Sequence, residues 1–154
     1  MPSPQVPSAR VLANRQARIQ LHRDSLTELQ LGMADGLANL GLNIVLRASA
    51  QAPRDPESAA RRGVPMLANT GGFQVWALGK RAAGVWEKRP RAARVPKDQV
   101  VLLVGFGSPI AHLVELGTVK MAARPFLTPA LLALIPNAGE YVTGAMSRRA
   151  ARRK

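Results

Sequence analysis

The chain has 154 residues, 47% of them apolar, which is enough for one domain with its own core and too apolar for a disordered protein. It contains no cysteine, which excludes a disulfide framework and thiolate metal sites. Lys and Arg number 22 against 9 Asp and Glu, a net charge of +13 with a pI near 11.7, and this excess favours anionic partners: nucleic acid, an anionic membrane, or an acidic protein face.

In chain order, residues 1–24 carry prolines and four arginines, Arg10, Arg15, Arg18 and Arg23, over a weak helical pattern from Ser8 to His22. They are expected to form a flexible basic arm or a frayed helical extension that orders against a neighbour on assembly. They lack the apolar core of a signal peptide, and the longest apolar runs, Val100–Val104 and Ala130–Ile135, are too short to span a bilayer. A soluble protein made in the cytoplasm is therefore expected. One domain is expected over 25–147, beginning with a helix from Leu26 to about Ala50. Ser25-Leu26-Thr27-Glu28 reads as a capping box, and Leu26, Leu29, Met33, Leu37, Leu40, Ile44 and Ala48 form one stripe at helical spacing. Gly32, Gly36 and Gly41 lower its propensity, so packing must hold it, and Pro53 and Pro56 close it.

Residues 51–71 read as a polar loop without periodicity. Alternation at Phe73, Val75 and Ala77, with Gly79-Lys80 to turn the chain, predicts a hairpin of about 72–78 and 82–87. A basic loop, 88–97, follows. Gln99–Phe106 is apolar at successive positions and predicts a strand covered on both faces, the centre of the sheet. Ser108-Pro109 reads as a cap and first helical turn, with Gly117 ending a two-turn helix. Thr128-Pro129 starts a C-terminal helix that Pro136 kinks or splits, with Asn137 capping a second piece to about Arg149 and a basic tail, 148–154, beyond. The class is α+β: a long N-terminal helix and a C-terminal helix packed on the same side of a small, mainly antiparallel sheet, with extended basic termini.

The chemistry-bearing residues do not assemble a catalytic pattern. His112 lies three residues before Glu115, but no third metal ligand recurs at useful spacing and no nucleophile elbow appears. Gly105-Phe106-Gly107 resembles the start of a dinucleotide loop, yet Ile110 stands where the third glycine belongs. No catalytic residue, cofactor site or metal site is assigned. Two basic clusters are candidates for DNA- or partner-facing charge: Lys88, Arg89, Arg91, Arg94 and Lys97 in the loop, and Arg148, Arg149, Arg152 and Arg153 in the tail. They serve either solubility and weak attraction or a specific contact.

Glu115 is the notable carboxylate. At the end of a short helix a negative charge is mildly unfavourable without compensation, and Arg124 or Lys120 can return along the extended segment to pair with it. A Glu115–Arg124 clamp fixing the shape of 117–126 is therefore expected, with Gly117, Thr118, Lys120, Met121, Arg124, Pro125 and Phe126 as its structural and interface residues.

The run Ile110–Leu131, IAHLVELGTVKMAARPFLTPAL, closely resembles the tail-component, neck or tail-completion proteins encoded among the head–tail joining proteins of long-tailed siphophages. The residues that carry the likeness are Ala111, His112, Leu113-Val114-Glu115, Gly117-Thr118, Lys120, Met121, Ala123, Arg124-Pro125-Phe126-Leu127 and Pro129-Ala130-Leu131. Upstream only Ala52-Pro53 and Thr70-Gly71 fit, while the 54–69 insertion and the 1–24 arm do not. The resemblance implies a virion protein without enzymatic activity, assembled in the host cytoplasm. It implies a ring, with a hexamer suiting a tail tube, at the neck or as a tail terminator. Partners would be head-connector or stopper and tail-tube or terminator proteins, with transient, sequence-blind contact to passing DNA and none to a membrane. The rival is a small basic nucleic-acid-binding protein with no virion role.

Overall fold

The computed structural model describes the backbone of residues 9–85 and 95–152, with side chains from Leu26 onward except Ser58. The first element, α1, is one continuous helix of 43 residues, Ala9–Gln51. The Ser25–Glu28 box therefore lies inside a helix and does not cap it. The reason is upstream: ARVLANRQARIQLHRD contains no Gly or Pro and is rich in Ala, Arg, Leu and Gln, so nothing stops the helix before Ala9. Of the two expectations for residues before Ser25, the backbone from Ala9 takes the helical one. The C-terminal end is as expected, with the Ala52 amide bonded to the Ala48 carbonyl at 2.8 Å before Pro53 intervenes.

The segment expected to be an irregular loop contains a short helix, α2 (Pro56–Arg62), and one 3₁₀ turn at Leu67–Asn69 whose Leu67 and Ala68 are buried. Asp55 and Pro56 supply a start signal and Gly63, at φ 62°, a stop. Three strands follow: β1 (Gly71–Ala77), β2 (Lys80–Gly84) and β3 (Val101–Phe106), paired antiparallel in the order β2-β1-β3. The β1–β2 turn is Leu78-Gly79, with φ 56° and 72°, as a two-residue hairpin loop of this hand requires. Trp86, Glu87 and the basic residues Lys88, Arg89, Arg91 and Arg94 lie outside the described residues.

The strand order corrects one expectation. β1, not the apolar 99–106 run, is the central strand, and β3 is an edge. β1 is buried on both faces: Phe73, Val75 and Ala77 pack toward α1, whereas Gln74 and Trp76 point the other way and are buried too. There the Trp76 indole N–H donates to Gln74 Oε1 at 3.2 Å. β3 is half-buried throughout. A uniformly apolar strand is as compatible with an edge as with a centre when its two faces are partly covered.

After β3 come α3 (Ala111–Leu116), α4 (Leu127–Leu134), a 3₁₀ turn at Ile135–Asn137 around Pro136, and α5 (Ala138–Ala151). The two-piece C-terminal helix is as expected, except that α4 begins at Leu127, Asn137 stands at the start of α5 without a side-chain cap bond, and α5 continues to Ala151, two residues past the expected end. One flank of α1 (Ala34, Val45) packs on the sheet, and another (Leu40, Ile44, Ala48) joins Phe126 and Ala130. Leu102, Val104 and Phe106 from β3 pack against that second cluster, so the C-terminal helices reach the sheet through it. The fold is α+β, with both helical elements on one side of an antiparallel sheet.

α1 and α5 approach closely because α1 has no side chain at Gly36: a Cβ there would lie 2.6 Å from Val142 Cα and 2.7 Å from the Tyr141 carbonyl oxygen. The residue that weakens α1 in isolation is the one that admits α5. By length and composition Leu26–Gln51 is also apolar enough to cross a membrane; Ala34, Leu40, Ile44, Val45 and Ala48 are buried in the two core clusters, while Leu26, Leu29, Leu42 and Leu46 are exposed.

Candidate functional site

The region with the most unusual construction is 105–128, and it builds from the backbone. Past the end of β3 the Gly107 amide donates to the Thr70 carbonyl at 2.8 Å. Ser108-Pro109 then make a turn and not a helix start: the Ala111 amide donates to the Ser108 carbonyl at 3.1 Å, and α3 begins at Ala111 without a side-chain cap. Gly117 ends α3 at φ 75°. A Cβ on Gly117 would stand 2.7 Å from the Ala123 amide nitrogen and 2.9 Å from the Met121 carbonyl oxygen, so glycine is required by conformation and by space.

Thr118 and Met121 then exchange backbone hydrogen bonds, Thr118 N–H to Met121 O at 2.8 Å and Met121 N–H to Thr118 O at 3.1 Å. This closes a minimal hairpin with Val119-Lys120 at its tip. The Thr118 hydroxyl accepts from the Lys120 amide at 3.2 Å, which steadies the tip. On the return path the Arg124 amide donates to the Val114 carbonyl at 2.9 Å, fastening the hairpin to α3.

Glu115 completes the arrangement. Its Oε2 accepts the amides of Phe126 and Leu127 at 2.9 and 3.0 Å, and its Oε1 accepts the Thr128 amide at 2.8 Å. The carboxylate thus caps α4 from eleven residues upstream, where the helix has unpaired donors and a positive dipole end and no side-chain cap at Phe126. Burial pushes the Glu115 carboxyl up, but the Phe126 amide, the Thr128 hydroxyl and the Leu127 and Thr128 amides more than offset this and hold it below its ordinary range.

The expected Glu115–Arg124 clamp is therefore corrected. Glu115 does fix the 117–126 segment, but by grasping backbone donors; among the described ion pairs none joins it to Arg124 or Lys120. A charge-assisted bond to an amide that has no other partner is worth more than an exposed ion pair. With both carboxylate oxygens aimed at α4, Glu115 does not orient the exposed His112. Among the described residues no group of three or more His, Cys, Asp or Glu could hold a metal ion.

The other expected residues fall in three places. Phe126 is 1% exposed and meets Phe106 edge-to-face at 4.8 Å, anchoring the bracket in the core. Lys120, Arg124 and Pro125 are exposed. Outward-facing apolar side chains surround the tip: Leu116 is 77% exposed and Val119 fully so, with Ile110, Leu113 and Met121 also exposed. Of the basic clusters, Lys97 is exposed and its carbonyl accepts from Gln30 Nε2 at 3.2 Å, while Arg153 lies outside the described residues with most of the loop. Arg148 and Arg152 flank the α1–α5 cleft. Arg149 is not a free tail charge: its Nε and Nη1 bridge Glu28 and Asp35 on α1, each at 2.9 Å. Those two carboxylates raise its pKa, so it stays charged.

Sequence reasoning missed a groove of about 530 Å³ beside the bracket, lined by Pro53, Val64, Pro65, Met66, Ile110 and Met121, with Asp55, Arg62 and Arg124 at its polar positions. Val64-Pro65-Met66 is an apolar patch in an otherwise polar 51–66 stretch, but it meets the resemblance-bearing run only through the fold. Searched against protein-family models, curated proteins and solved structures, the chain matches none.

Proposed function

We propose that this chain is a structural protein of a tailed double-stranded-DNA phage, forming a ring at the head–tail interface that joins tail to head connector and lets DNA pass. The observation that carries this reading is the disposition of groups in 110–128, the run whose sequence resembles the siphophage neck and tail-completion proteins. Its one carboxylate, Glu115, and the Thr118 hydroxyl are spent on holding the segment's own backbone, and its apolar side chains Leu116, Val119 and Met121 are turned outward. A catalytic loop needs the reverse, polar groups presented to a substrate and apolar ones withdrawn. A rigid outward apolar projection suits protein–protein joining.

The net charge of +13 favours a second reading, a small nucleic-acid-binding protein with no virion role. In a ring around passing DNA the same charge gives only weak, sequence-blind attraction. One experiment separates the two. The purified protein is examined by native mass spectrometry and electron microscopy, alone and with its head-connector and tail-tube neighbours. Duplex DNA binding is titrated at physiological salt in parallel. The ring reading expects a closed oligomer, a hexamer by preference, or addition to a partner ring, with feeble DNA affinity. A monomer that binds duplex tightly and ignores those neighbours would establish the rival.

A further inference from the structure

The groove beside the bracket is apolar along its walls and basic in its balance of charge. Val64, Pro65 and Met66 face Ile110 and Met121 across a volume of about 530 Å³, room for several side chains. Its charged residues are Asp55, Arg62 and Arg124. Asp55 already has a partner, whereas neither the Arg62 nor the Arg124 guanidinium has a hydrogen bond or ion pair among the described residues. Arginine at the edge of apolar surface is matched best by a carboxylate, which its planar fork can hold through two parallel bonds. The groove has no carboxylate to spare for either of them.

The apolar surface does not stop at the groove. Ile110, Leu113 and Leu116 follow one another at steps of three along α3, and all are exposed. The stripe carries the surface about 9 Å past Ile110, further than a small amphiphile needs and in keeping with a length of polypeptide. Its frame is held in advance: the Gly107 amide is bonded to the Thr70 carbonyl and the Arg124 amide to the Val114 carbonyl, so docking orders little of this chain. We propose that the groove and the α3 stripe dock a segment of a different protein, one in which apolar residues stand beside carboxylates. The apolar residues lie against Val64, Met66 and Ile110, and the carboxylates against Arg62 and Arg124. A net charge of +13 draws such an acidic partner and repels a second copy of this chain. This rests on the joining reading above and names the chemistry of the partner that is joined.

The full chain, immobilised at physiological salt, is used to select binders from a random library of short peptides. Affinities of the selected peptides are then measured on variants with unchanged circular dichroism. The expected peptides combine an apolar run with carboxylates. Arg62→Gln with Arg124→Gln should weaken them on the order of tenfold, and Val64→Ser, which keeps every charge, several-fold. Arg148→Gln with Arg152→Gln removes the same charge away from the groove and should change little. Arg62→Glu with Arg124→Glu should bind the same peptides once lysine replaces their acids. Selection that yields no peptide, peptides without carboxylates, peptides that reproduce segments of this chain, or binding weakened equally by the Arg148 and Arg152 pair overturns the proposal. If it is overturned while the protein still forms a ring or adds to a neighbour's ring, the joining reading stands on another surface. A protein that binds the peptides as expected but neither forms a ring nor joins one keeps the groove's specificity and loses the joining reading.

Discussion

Two junctions hold this protein together, and they work by opposite means. The α1–α5 junction is made by absence: Gly36 has no side chain, the helices close to backbone contact, and Arg149 secures the far end between Glu28 and Asp35. The α3–α4 junction is made by one added group, the Glu115 carboxylate, which gathers three successive amides. The first hides apolar surface and the second displays it. Close packing suits a permanent core contact because nothing small can substitute for it. A hydrogen-bonded bracket holds its shape without burying its apolar residues, which leaves them for a partner.

Substitutions can break this contrast in order of size. Gly36→Ala should be the most damaging, at about 3 kcal/mol or roughly 6–12 °C in Tm, because the new methyl meets backbone that cannot move aside. Alanine is the better helix former by about 1 kcal/mol, so a rise in Tm would refute the close approach. Glu115→Ala should cost about 2 kcal/mol, since it leaves three amides without their acceptor. Hydrogen exchange should locate that loss at 126–128, with the α1–α5 contact unaffected.

The same carboxylate gives a pH signature. Its pKa is lowered in the folded state, so its stabilisation is complete above the ordinary carboxylate range and is lost as pH falls through that range toward the folded value. The Tm difference between wild type and Glu115→Gln should therefore narrow below about pH 4. Gly117→Ala should cost about 1–2 kcal/mol through strain at φ 75° and the crowding of the Met121–Ala123 backbone, which can shift at the surface as α5 at Gly36 cannot, and limited proteolysis should report it as cleavage within 117–124. Arg149→Ala should have the smallest effect of the series. That effect should shrink as salt is raised, whereas the loss from Gly36→Ala should not.

What could be read in advance follows from which interactions leave a sequence trace. Periodicity located α1 from Leu26 on, because the stripe includes Leu40, Ile44 and Ala48, which meet the core, although Leu26 and Leu29 at its start are exposed. It did not place the start of α1, since Ser25–Glu28 caps a helix only if the chain before it leaves helical geometry, and the Ala- and Arg-rich segment before it does not. The uniform Val and Leu of 99–106 marked a strand but not its rank in the sheet, which depends on a partner that Gly71–Ala77 supplies. Glu115 stood out because acids are few after Asp98. Its true partners could not be named because amides carry no letter, and an α4 start expected at Pro129 concealed that residues 126–128 are the donors. The groove went unseen because its walls come from residues 53–66 and 107–124, brought together only by the fold.

The contact between Arg149 and the two acids on α1 joins positions 121 and 114 residues apart. Synthesis runs from the N-terminus, so α1 is made first and its closing helix last. Throughout that interval the face of α1 at Gly32 and Gly36 lacks the cover that Tyr141, Val142 and Met146 of α5 bring, and Gly32, Gly36 and Gly41 deny the waiting helix much local stability. The nascent chain is therefore most prone to aggregation just before it is complete, and a ribosome stalled before residue 138 should leave a protein that only a chaperone can hold in solution.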